Sequence, residues 1–517
     1  MAEIHELRPT VPKGPAPAQI DPRRNFPIDV RQTSLPVMTT VAWEAVKAAN
    51  EPPKWFLVGE DPVRIVEDAN EPIHMKRLGM DGLGNISAQT AWWHKFTEKD
   101  GESEQFPLER VLKNMLVEPN KPLPPLRRIV AAPVFGPRGT LSTAKGYDPD
   151  SGNYYAPGDT LIETIPDKPT AEDVEWAKSL IFDEFLVDFP FVGPSEKAHA
   201  LSLMLNPFIR DMIDGPTPMY LIEAPAAGTG KSLLANLLMY PALGEGPVLM
   251  TQSNSDEETR KRLTSTLMDI PEAVLIDNVA KGLDSPSMSS VLTGTNWTDR
   301  VLGKSENQKI PIRCTWIATG NNPTRSNEMS RRLIRIRLDA RAERPEEREN
   351  FRHKRLDWWV KDNRHQLIRA CLILVQRWIT THGNAGSNAV SLGSYEAWKD
   401  MHSGILECIG VDGFLANKRE AESVNRDDDI AWEVFVDTWW NVHHAAEVTA
   451  NELLVIAREI DDFPLGRNPT EKGEKIAFGI AMNQHRDRVF NGFRVEQILK
   501  RGRGKAYRLQ EAEMVKV

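Results

Sequence analysis

The sequence predicts an α/β protein, and two observations support that fold class. Apolar runs at 219–222, 273–276 and 314–318 have the length and composition of buried strands. The first run is followed by a loop of small residues and then by a helical pattern, for which we predict a buried face of Leu233, Leu234, Leu237 and Leu238. With 517 residues, of which 40% are hydrophobic and 26% charged, the chain is long enough for about three or four globular domains.

Composition and periodicity divide the chain into six segments. The proline-rich run 118–125 predicts a stiff linker, and Thr170, Thr449 and Thr470 are predicted helix N-caps, the last of a helix continuing to about residue 489. The predicted segments are a disordered tail over 1–30, an α/β accessory domain over 31–116, a linker with β-hairpins and a helical collar over 117–216, an α/β core over 217–345, a helical region over 346–448 and a winged-helix-like domain over 449–517.

The loop that follows the first strand has the features of a phosphate-binding loop. Its residues are Ala224, Pro225, Ala226, Ala227, Gly228, Thr229, Gly230, Lys231 and Ser232. The two glycines allow the backbone N–H groups to form an anion nest, and the helix N-terminus adds partial positive charge. Lys231 can reach the β and γ phosphates of a nucleotide, and the Ser232 hydroxyl can ligate Mg²⁺. Pro225 stands where the common pattern has its first glycine, which alters the loop without excluding it, because proline fits a φ of roughly −65°.

Three kinds of polar residue follow the loop, and each has a role in nucleotide hydrolysis. Asp277 ends the apolar run 273–276 and can hold the water shell of a metal ion. Asn321 follows the run 314–318 and can position the attacking water. Arg331 and Arg332 precede an alternating segment that predicts an edge strand, and either can neutralise charge in the transition state.

These residues and their spacing resemble the AAA+ ATPases of helicase superfamily 3. Within that superfamily the chain is similar to the poxvirus-type primase–helicase ATPases of phages, plasmids and integrated mobile elements. Only 90 residues separate Lys231 from Asn321, which suits this compact group. The resemblance is strongest over about 130–345 and weak before residue 120, and it extends to the stretches 133–155, 299–304, 319–323 and 394–398.

The resemblance implies an ATP-dependent replicative DNA helicase that works as an oligomeric ring, typically a hexamer. ATP and Mg²⁺ would be its cofactors, with Ser232 and Asp277 at the metal, and Arg331 or Arg332 would reach the ATP of a neighbouring subunit. DNA would be its partner, and any priming would come from a separate primase or polymerase.

Two basic segments are candidates for contact with DNA. The stretch 297–311 predicts a hairpin, and the resemblance implies that its cations point into the pore of a ring and contact backbone phosphates; a solvated hairpin is the alternative. These cations are Arg300, Lys304 and Lys309. In the second segment, residues 465–517, 12 Lys and Arg stand against 6 Asp and Glu, a local charge of +6, so the rest of the chain carries −15. Strand patterns there flank Arg501, Arg503 and Lys505, which suit phosphate contact; a solvated face or a protein-docking module is the alternative.

One position departs from the usual chemistry of such ATPases. Most place a second carboxylate after the metal-binding aspartate to activate water, but this chain has Asn278, whose amide cannot accept a proton. Glu257 and Glu258 are the candidate replacement bases, although carboxylates at a helix start also simply favour the helix.

Composition favours a cytoplasmic enzyme. The three cysteines, Cys314, Cys371 and Cys408, have no metal-binding spacing, and the chain has neither a signal peptide nor an 18-residue apolar run. Two alternatives to a helicase stay open. One is an AAA+ ATPase that remodels DNA or protein in phage defence or packaging, and the other is a non-catalytic DNA-binding initiator for which ATP is only an assembly switch.

Overall fold

The computed structural model describes residues 21–68, 71–253, 255–279, 282–300, 307–323, 325–342, 344–381, 383–418, 426–460, 463–464, 470–500 and 504–511.

The amino-terminal part of the chain combines helices with two small sheets. The first elements are β1 (Pro27–Asp29), α1 (Leu35–Ala49), β2 (Trp55–Val58), β3 (Asp61–Asp68), β4 (Glu71–Arg77), α2 (Met80–Thr90), β5 (Trp92–Thr97), β6 (Gly101–Glu104) and α3 (Glu109–Val117). They form the sheets β1-β5-β6 and β2-β3-β4.

The predicted disorder through residue 30 is wrong for its last part. Pro22–Asn25 form a 3-10 turn and Pro27–Asp29 form β1, which pairs in parallel with β5. Ile28 is buried in the hydrophobic core of this part, and Arg23 forms ion pairs with Asp21 and Glu104, so the segment has both apolar and ionic anchors. Residues 1–20 lie outside the described residues.

The next part consists of short strands followed by helices. Its elements are β7 (Arg128–Val130), β8 (Val134–Phe135), β9 (Leu141–Ser142), β10 (Gly146–Asp148), β11 (Asn153–Tyr155), α4 (Ala171–Ser179) and α5 (Pro194–Ile209). The predicted hairpins are present as β8–β9 and β10–β11, and β7 additionally pairs in parallel with β11. Thr170 caps α4 as predicted, in a reciprocal capping box with Asp173.

A five-stranded parallel sheet forms the centre of the molecule, and the predicted apolar strands are part of it. Its elements are β12 (Met219–Glu223), α6 (Lys231–Leu243), β13 (Val248–Leu249), α7 (Asp256–Met268), β14 (Ala273–Val279), α8 (Pro286–Thr293), β15 (Asn296–Arg300), β16 (Asn307–Pro311), β17 (Thr315–Gly320), α9 (Asn327–Ser330) and β18 (Leu333–Arg337). The strand order is β13-β14-β17-β12-β18, with β15 and β16 forming a separate antiparallel pair.

Every residue of β12 is buried because helices cover both faces of the sheet. Tyr220 and Ile222 pack into a core shared with α5, α6 and α11 (Arg364–Thr380), whereas Met219 and Leu221 pack on the opposite face against α7 and α8. The apolar runs that predicted these strands are therefore strands buried on both sides.

The carboxyl-terminal elements form a helical part and a second, smaller core. They are α10 (Leu356–Asp362), α11, α12 (Glu396–Cys408), α13 (Arg426–His443), β19 (Val448–Thr449), α14 (Ala450–Arg458), α15 (Glu471–Gln484), β20 (Val489–Phe490), β21 (Phe493–Lys500) and β22 (Gly504–Glu511). The last four strands form one antiparallel sheet in the order β19-β22-β21-β20. None of the helices in the described ranges is long and apolar enough to cross a membrane.

Two boundaries at the carboxyl end differ from the prediction. Trp432, Phe435 and Trp439 on α13 pack in the same core as α14, α15 and the terminal sheet, so the predicted division at residue 448 falls inside one hydrophobic core. The last helix ends at Gln484 rather than near residue 489, because Asp487 takes a left-handed conformation with φ +65° and the chain turns into β20.

A buried ion pair joins the short strands to the central part. Arg128 donates to Asp211 at 2.8 Å, and their side chains are 2% and 0% exposed. Asn153 also donates to Asp211 at 2.8 Å. Burial alone would raise the pKa of Asp211, but Arg128, Asn153 and Arg313 together more than offset that effect and keep the pKa below its usual value.

We expect the substitution Asp211→Ala to destabilise the fold by about 3–5 kcal/mol, because it removes the closer of the two carboxylates that pair with the buried Arg128 cation and leaves only Glu272, 3.5 Å away. The measurement is the shift of the urea unfolding midpoint. Asp150→Ala is the matched control, since Asp150 is exposed and lies 3.9 Å from exposed Arg138. Equal midpoints for the two variants would contradict a structural role for the buried pair.

Candidate nucleotide-binding site

The loop between β12 and α6 has the backbone geometry of an anion-binding nest. Gly228 and Gly230 adopt left-handed conformations, with φ values of +74° and +94°. The Thr229 hydroxyl donates to the Ala226 carbonyl at 2.8 Å, and this bond holds the loop closed. Because α6 begins at Lys231, the free N–H groups of a 13-residue helix face the loop.

Lys231 supplies the positive charge of this loop. It is 9% exposed, and its Nζ atom donates to the Ala226 carbonyl at 3.1 Å. Burial lowers the pKa of Lys231, while the nearby Asp277 carboxylate acts in the opposite direction. A buried ammonium beside a carbonyl and an anion nest has the donors that a phosphate group requires.

Asp277 connects the loop helix to the central strands. Its Oδ1 atom accepts hydrogen bonds from the Ser232 hydroxyl at 2.7 Å and from the Thr319 hydroxyl at 2.5 Å. Ser232 lies in the first turn of α6, Asp277 lies near the end of β14 and Thr319 lies near the end of β17. A hydroxyl and a carboxylate side by side next to a phosphate site are the oxygen ligands that Mg²⁺ prefers, so the residues fit this ion.

The backbone explains why an asparagine follows Asp277. Asn278 has a left-handed φ of +54°, and the pairing of β14 with β17 shifts register between Ile276 and Val279. Asparagine tolerates this conformation better than glutamate does. The Asn278 N–H donates to the Thr319 hydroxyl at 2.9 Å, so the bulge holds Thr319 in contact with Asp277.

Asn321 stands at the same edge of the sheet. It follows β17, which lies between β14 and β12, and it is exposed. The carboxyl ends of these three parallel strands therefore bring together Lys231, Asp277 and Asn321, in line with the prediction that they share one site. Ligands in open parallel sheets bind at this edge.

The two arginines predicted to act in hydrolysis lie beside the amino-terminal ends of the parallel strands, whereas the loop lies at their carboxyl ends. The Met219 N–H, at the start of β12, donates to the Arg332 carbonyl at 3.0 Å. The five residues of β12 span roughly 16 Å between this point and the loop, which exceeds the reach of an arginine side chain. Neither Arg331 nor Arg332 is thus placed to contact a nucleotide bound by its own chain.

The candidate bases Glu257 and Glu258 lie in the first turn of α7. Glu257 pairs with Lys261 at 2.8 Å and Glu258 pairs with Arg262 at 3.0 Å, each one turn further along the same helix. In the described part of the chain, both carboxylates form ion pairs with these basic residues rather than with the loop. Their role in activating water stays a prediction.

A cavity of about 260 Å³ opens directly beside the loop. Leu233 lines it and is 44% exposed, so the predicted buried face of α6 is wrong at this residue, although Leu234, Leu237 and Leu238 are buried. Phe189 and Phe351 also line the cavity. Glu346 closes one side, and a β-carbon on Gly228 would lie 2.8 Å from its Oε2 atom, so this close approach requires glycine.

A buried cluster of charges under the loop was not predicted from the sequence. Glu223, 1% exposed at its side chain, accepts from Arg325 at 2.9 Å and from Arg335 Nε at 2.7 Å. The cluster ties the end of β12 to β18 and to the segment after Asn321. The single carboxylate at the end of an otherwise apolar strand indicates a buried charge. Its partners could not be predicted, because they lie about 100 residues away in the sequence.

The predicted hairpin is present as β15 and β16. Trp297 and Ile310 pair with each other and are buried, and the Trp297 indole donates to the Thr264 hydroxyl at 2.8 Å. Because side chains alternate across a strand, Arg300 and Lys309 lie on the opposite, exposed face. Lys304 lies outside the described residues.

At the carboxyl end, β21 and β22 form the predicted pair of strands around the basic segment. Arg501 and Arg503 lie outside the described residues, and Lys505 is described only as part of β22. Contact of these cations with DNA stays a prediction.

Comparison with known proteins gives no family assignment. No protein-family model matches the chain, and no curated protein matches it either. Among solved structures, the chain is similar to the A form apo structure of the NrS-1 C-terminal region, with 14% identity and a TM-score of 0.41 over 90% of this chain and 98% of that one. It is also similar to the JCV helicase, with 12% identity and a TM-score of 0.21 over 48% of this chain and 73% of that one. At these identities and TM-scores, the similarities do not establish a family for the chain.

Proposed function

We propose that this protein is an ATP-dependent DNA helicase of superfamily 3 type, acting as an oligomeric ring in the replication of a phage, plasmid or integrated mobile element. The observation that carries the proposal is the convergence of Ser232 and Thr319 on one oxygen of Asp277, next to the loop that contains Lys231. Such a set of groups suits nucleotide hydrolysis, in which positioning and charge stabilisation supply nearly all of the catalysis.

The proposed roles follow from the chemistry of each group. The N–H groups of the loop and Lys231 bind the phosphates, and Ser232 and Asp277 hold Mg²⁺, which neutralises developing charge when it is bound. Asn321 orients the attacking water. Asn278 cannot take the proton, so Glu257 and Glu258 remain our candidates for the base.

The cavity beside the loop suits the nucleoside part of ATP. Leu233, Phe189 and Phe351 offer apolar contact to a base, and the Glu346 carboxylate is an acceptor for ribose hydroxyl groups. Arg348 donates to the Asp188 carbonyl at 2.9 Å, which ties the segment carrying Glu346 to the wall of the cavity.

DNA contact is proposed for two places. The exposed face of the β15–β16 hairpin carries Arg300 and Lys309, and Lys304 lies between the two strands in the sequence. In a ring these cations would contact the DNA backbone and couple hydrolysis to movement. The basic segment with Arg501, Arg503 and Lys505 would act mainly as a tether.

One observation favours a second function. Asn278 removes the usual water-activating carboxylate, and both candidate bases are paired with cations on their own helix. A DNA-binding initiator that uses ATP only as an assembly switch would have no need of an efficient base. An AAA+ ATPase that remodels DNA or protein for defence or packaging is the remaining alternative.

Strand displacement on a forked DNA duplex tests these proposals. With ATP and Mg²⁺, the full chain should release the displaced strand, and a non-hydrolysable ATP analogue should support binding without release. ATP-dependent assembly on DNA without hydrolysis would favour the switch. DNA-independent hydrolysis without strand release would favour a remodelling ATPase.

Replacing Arg501, Arg503 and Lys505 together with glutamine should make DNA affinity less dependent on salt. Each phosphate contact contributes about 0.9 to the slope of log affinity against log salt, so we expect the slope to fall by about 2 to 3. The measurement is fluorescence anisotropy of labelled duplex over a salt series. Arg458→Gln is the control, because Arg458 already forms an ion pair with Glu474. Equal slopes for the triple variant and the unaltered protein would indicate that these cations face solvent or a protein.

A further inference from the structure

Arg331 and Arg332 have different environments in the structure, although the sequence does not distinguish their roles. Arg332 donates to the Glu328 carbonyl at 2.7 Å and forms an ion pair with the Glu328 carboxylate at 3.1 Å, so its guanidinium is engaged within the chain. Arg331 is exposed, and among the described residues its side chain makes no hydrogen bond or ion pair. Arg331 is therefore the arginine available to a second copy of the chain.

The turn that carries Arg331 is held by a buried lysine from a distant part of the sequence. Lys418 is 5% exposed, and its Nζ atom donates to the carbonyls of Ser330, Arg331 and Leu333 at 3.1, 3.3 and 3.3 Å. These carbonyls lie between the end of the four-residue helix α9 and the first residue of β18. The ammonium group thus fixes the backbone on both sides of the Arg331 side chain.

Lys418 is itself fixed to the scaffold of the central sheet. The Leu415 N–H donates to His199 Nε2 at 3.0 Å, and His199 Nδ1 contacts the Arg335 carbonyl of β18 at 2.7 Å. Burial lowers the pKa of His199 to about 4, so the ring is neutral and can accept at one nitrogen while it donates at the other. The Asn417 side chain donates to Glu196 on α5 at 2.7 Å.

The hydrogen bonds of Lys418 constrain the backbone of the turn, which packing alone would not do. An apolar residue would fill the same space, but an ammonium group has three donors and can join three carbonyls in one rigid turn. Because the effect of a transition-state cation depends on its position, a loosened turn would reduce catalysis even with Arg331 present.

We propose that Lys418 is a positioning residue that holds the 330–333 turn so that Arg331 can enter the ATP site of a neighbouring subunit. The inference rests on the proposed ATPase function. It adds a residue outside the site that controls turnover through Arg331 without contacting the nucleotide.

Steady-state ATPase kinetics of Lys418→Met test the inference. We expect kcat to fall by about 100-fold, the effect of misplacing a catalytic group by roughly 1 Å, with KM close to that of the unaltered protein. Lys418→Arg, which keeps donors at this position, should recover part of the loss. Lys399→Met is the matched control, because Lys399 is also a largely buried lysine but pairs with Glu396 and Asp400 on its own helix.

Experiments that mix two variants in one ring show whether Lys418→Met loses activity because Arg331 is misplaced. Rings of Lys418→Met with Lys231→Ala should regain activity, because one chain provides an intact loop and the other an intact Arg331. Rings of Lys418→Met with Arg331→Ala should not, because both chains lack a functional arginine. If Lys418→Met does not fold, Lys418→Gln takes its place in every arm; its shorter, neutral side chain has two donors instead of three, so we expect a smaller fall in kcat with the same pattern of rescue.

The outcomes separate the inference from the function on which it depends. Normal turnover of Arg331→Ala would overturn the choice of Arg331 and with it the role of Lys418. Normal turnover of both Arg331→Ala and Arg332→Ala would overturn the proposed ring ATPase. Slow turnover of Arg331→Ala with normal turnover of Lys418→Met would overturn the positioning role alone. Two further outcomes would also overturn the positioning role. Equal losses of kcat in Lys418→Met and Lys399→Met would show a general effect of removing a buried lysine. Recovery of activity in rings that mix Lys418→Met with Arg331→Ala would show that the defect lies elsewhere than in Arg331.

Discussion

Lys231→Ala should reduce ATP hydrolysis by at least about 1,000-fold, the upper range for removal of one preorganised electrostatic group. Lys231 carries the positive charge of the loop and is held beside the Ala226 carbonyl, 9% exposed. Because the ammonium is already partly desolvated before any phosphate binds, its interaction with phosphate is stronger than that of an exposed lysine. Phosphate release from purified protein with saturating ATP and Mg²⁺ measures the effect.

Lys178→Ala is the control for this experiment. Lys178 pairs with Glu175 at 2.9 Å on α4, so its removal changes charge by the same amount without touching the loop. Unaltered turnover of Lys231→Ala would contradict the assignment of the loop as a nucleotide site. Loss of turnover in both variants would show that the assay responds to net charge rather than to the site.

Arg331→Ala should leave ATP binding nearly intact and reduce turnover by about 1,000-fold or more. An arginine that enters the site of a neighbour stabilises charge that develops only in the transition state, so it contributes little to ground-state binding. Arg332→Ala should have the smaller effect, because Glu328 already holds that guanidinium. Nucleotide affinity from equilibrium titration and kcat from phosphate release separate the two quantities.

Mixed rings provide the control for Arg331→Ala. Combining it with Lys231→Ala should restore part of the activity, since each mixed ring contains some interfaces with both an intact loop and an intact arginine. Absence of rescue in rings shown to exchange subunits would mean that the site is complete within one chain. A larger effect of Arg332→Ala than of Arg331→Ala would reverse our choice between the two.

The strands and the loop that carry the candidate site are predictable from the sequence because they leave local patterns. Buried strands leave continuous apolar runs, and the loop after β12 has small residues followed by lysine and serine, so the grouping of Lys231, Asp277 and Asn321 follows from strand ends alone. The paired strands around residues 300 and 307 and the capping box at Thr170 are equally local.

The features that the sequence does not predict depend on contacts between distant segments. Glu223 has no charged neighbour in its own strand, and its arginines come from a later loop and strand. The exposure of Leu233 depends on a cavity wall formed near Phe351. The packing of α13 in the carboxyl-terminal core depends on aromatic contacts with distant elements. Helical periodicity predicts which face of α13 is apolar, but it does not predict which element that face packs against.

The strand order of the central sheet has a consequence for how the protein is made. Both neighbours of β12 come later in the chain, with β17 and β18 beginning at Thr315 and Leu333. Nothing upstream of β12 pairs with it in the described residues, so the strand that leads into the phosphate loop has open edges until about residue 337 has left the ribosome. Pairings between such distant segments are slow to form, because a long chain must be closed before any contact is gained. During synthesis, the apolar strand Met219–Glu223 is therefore made well before either of the strands that pair with it, and its backbone N–H and C=O groups lack their sheet partners over that interval.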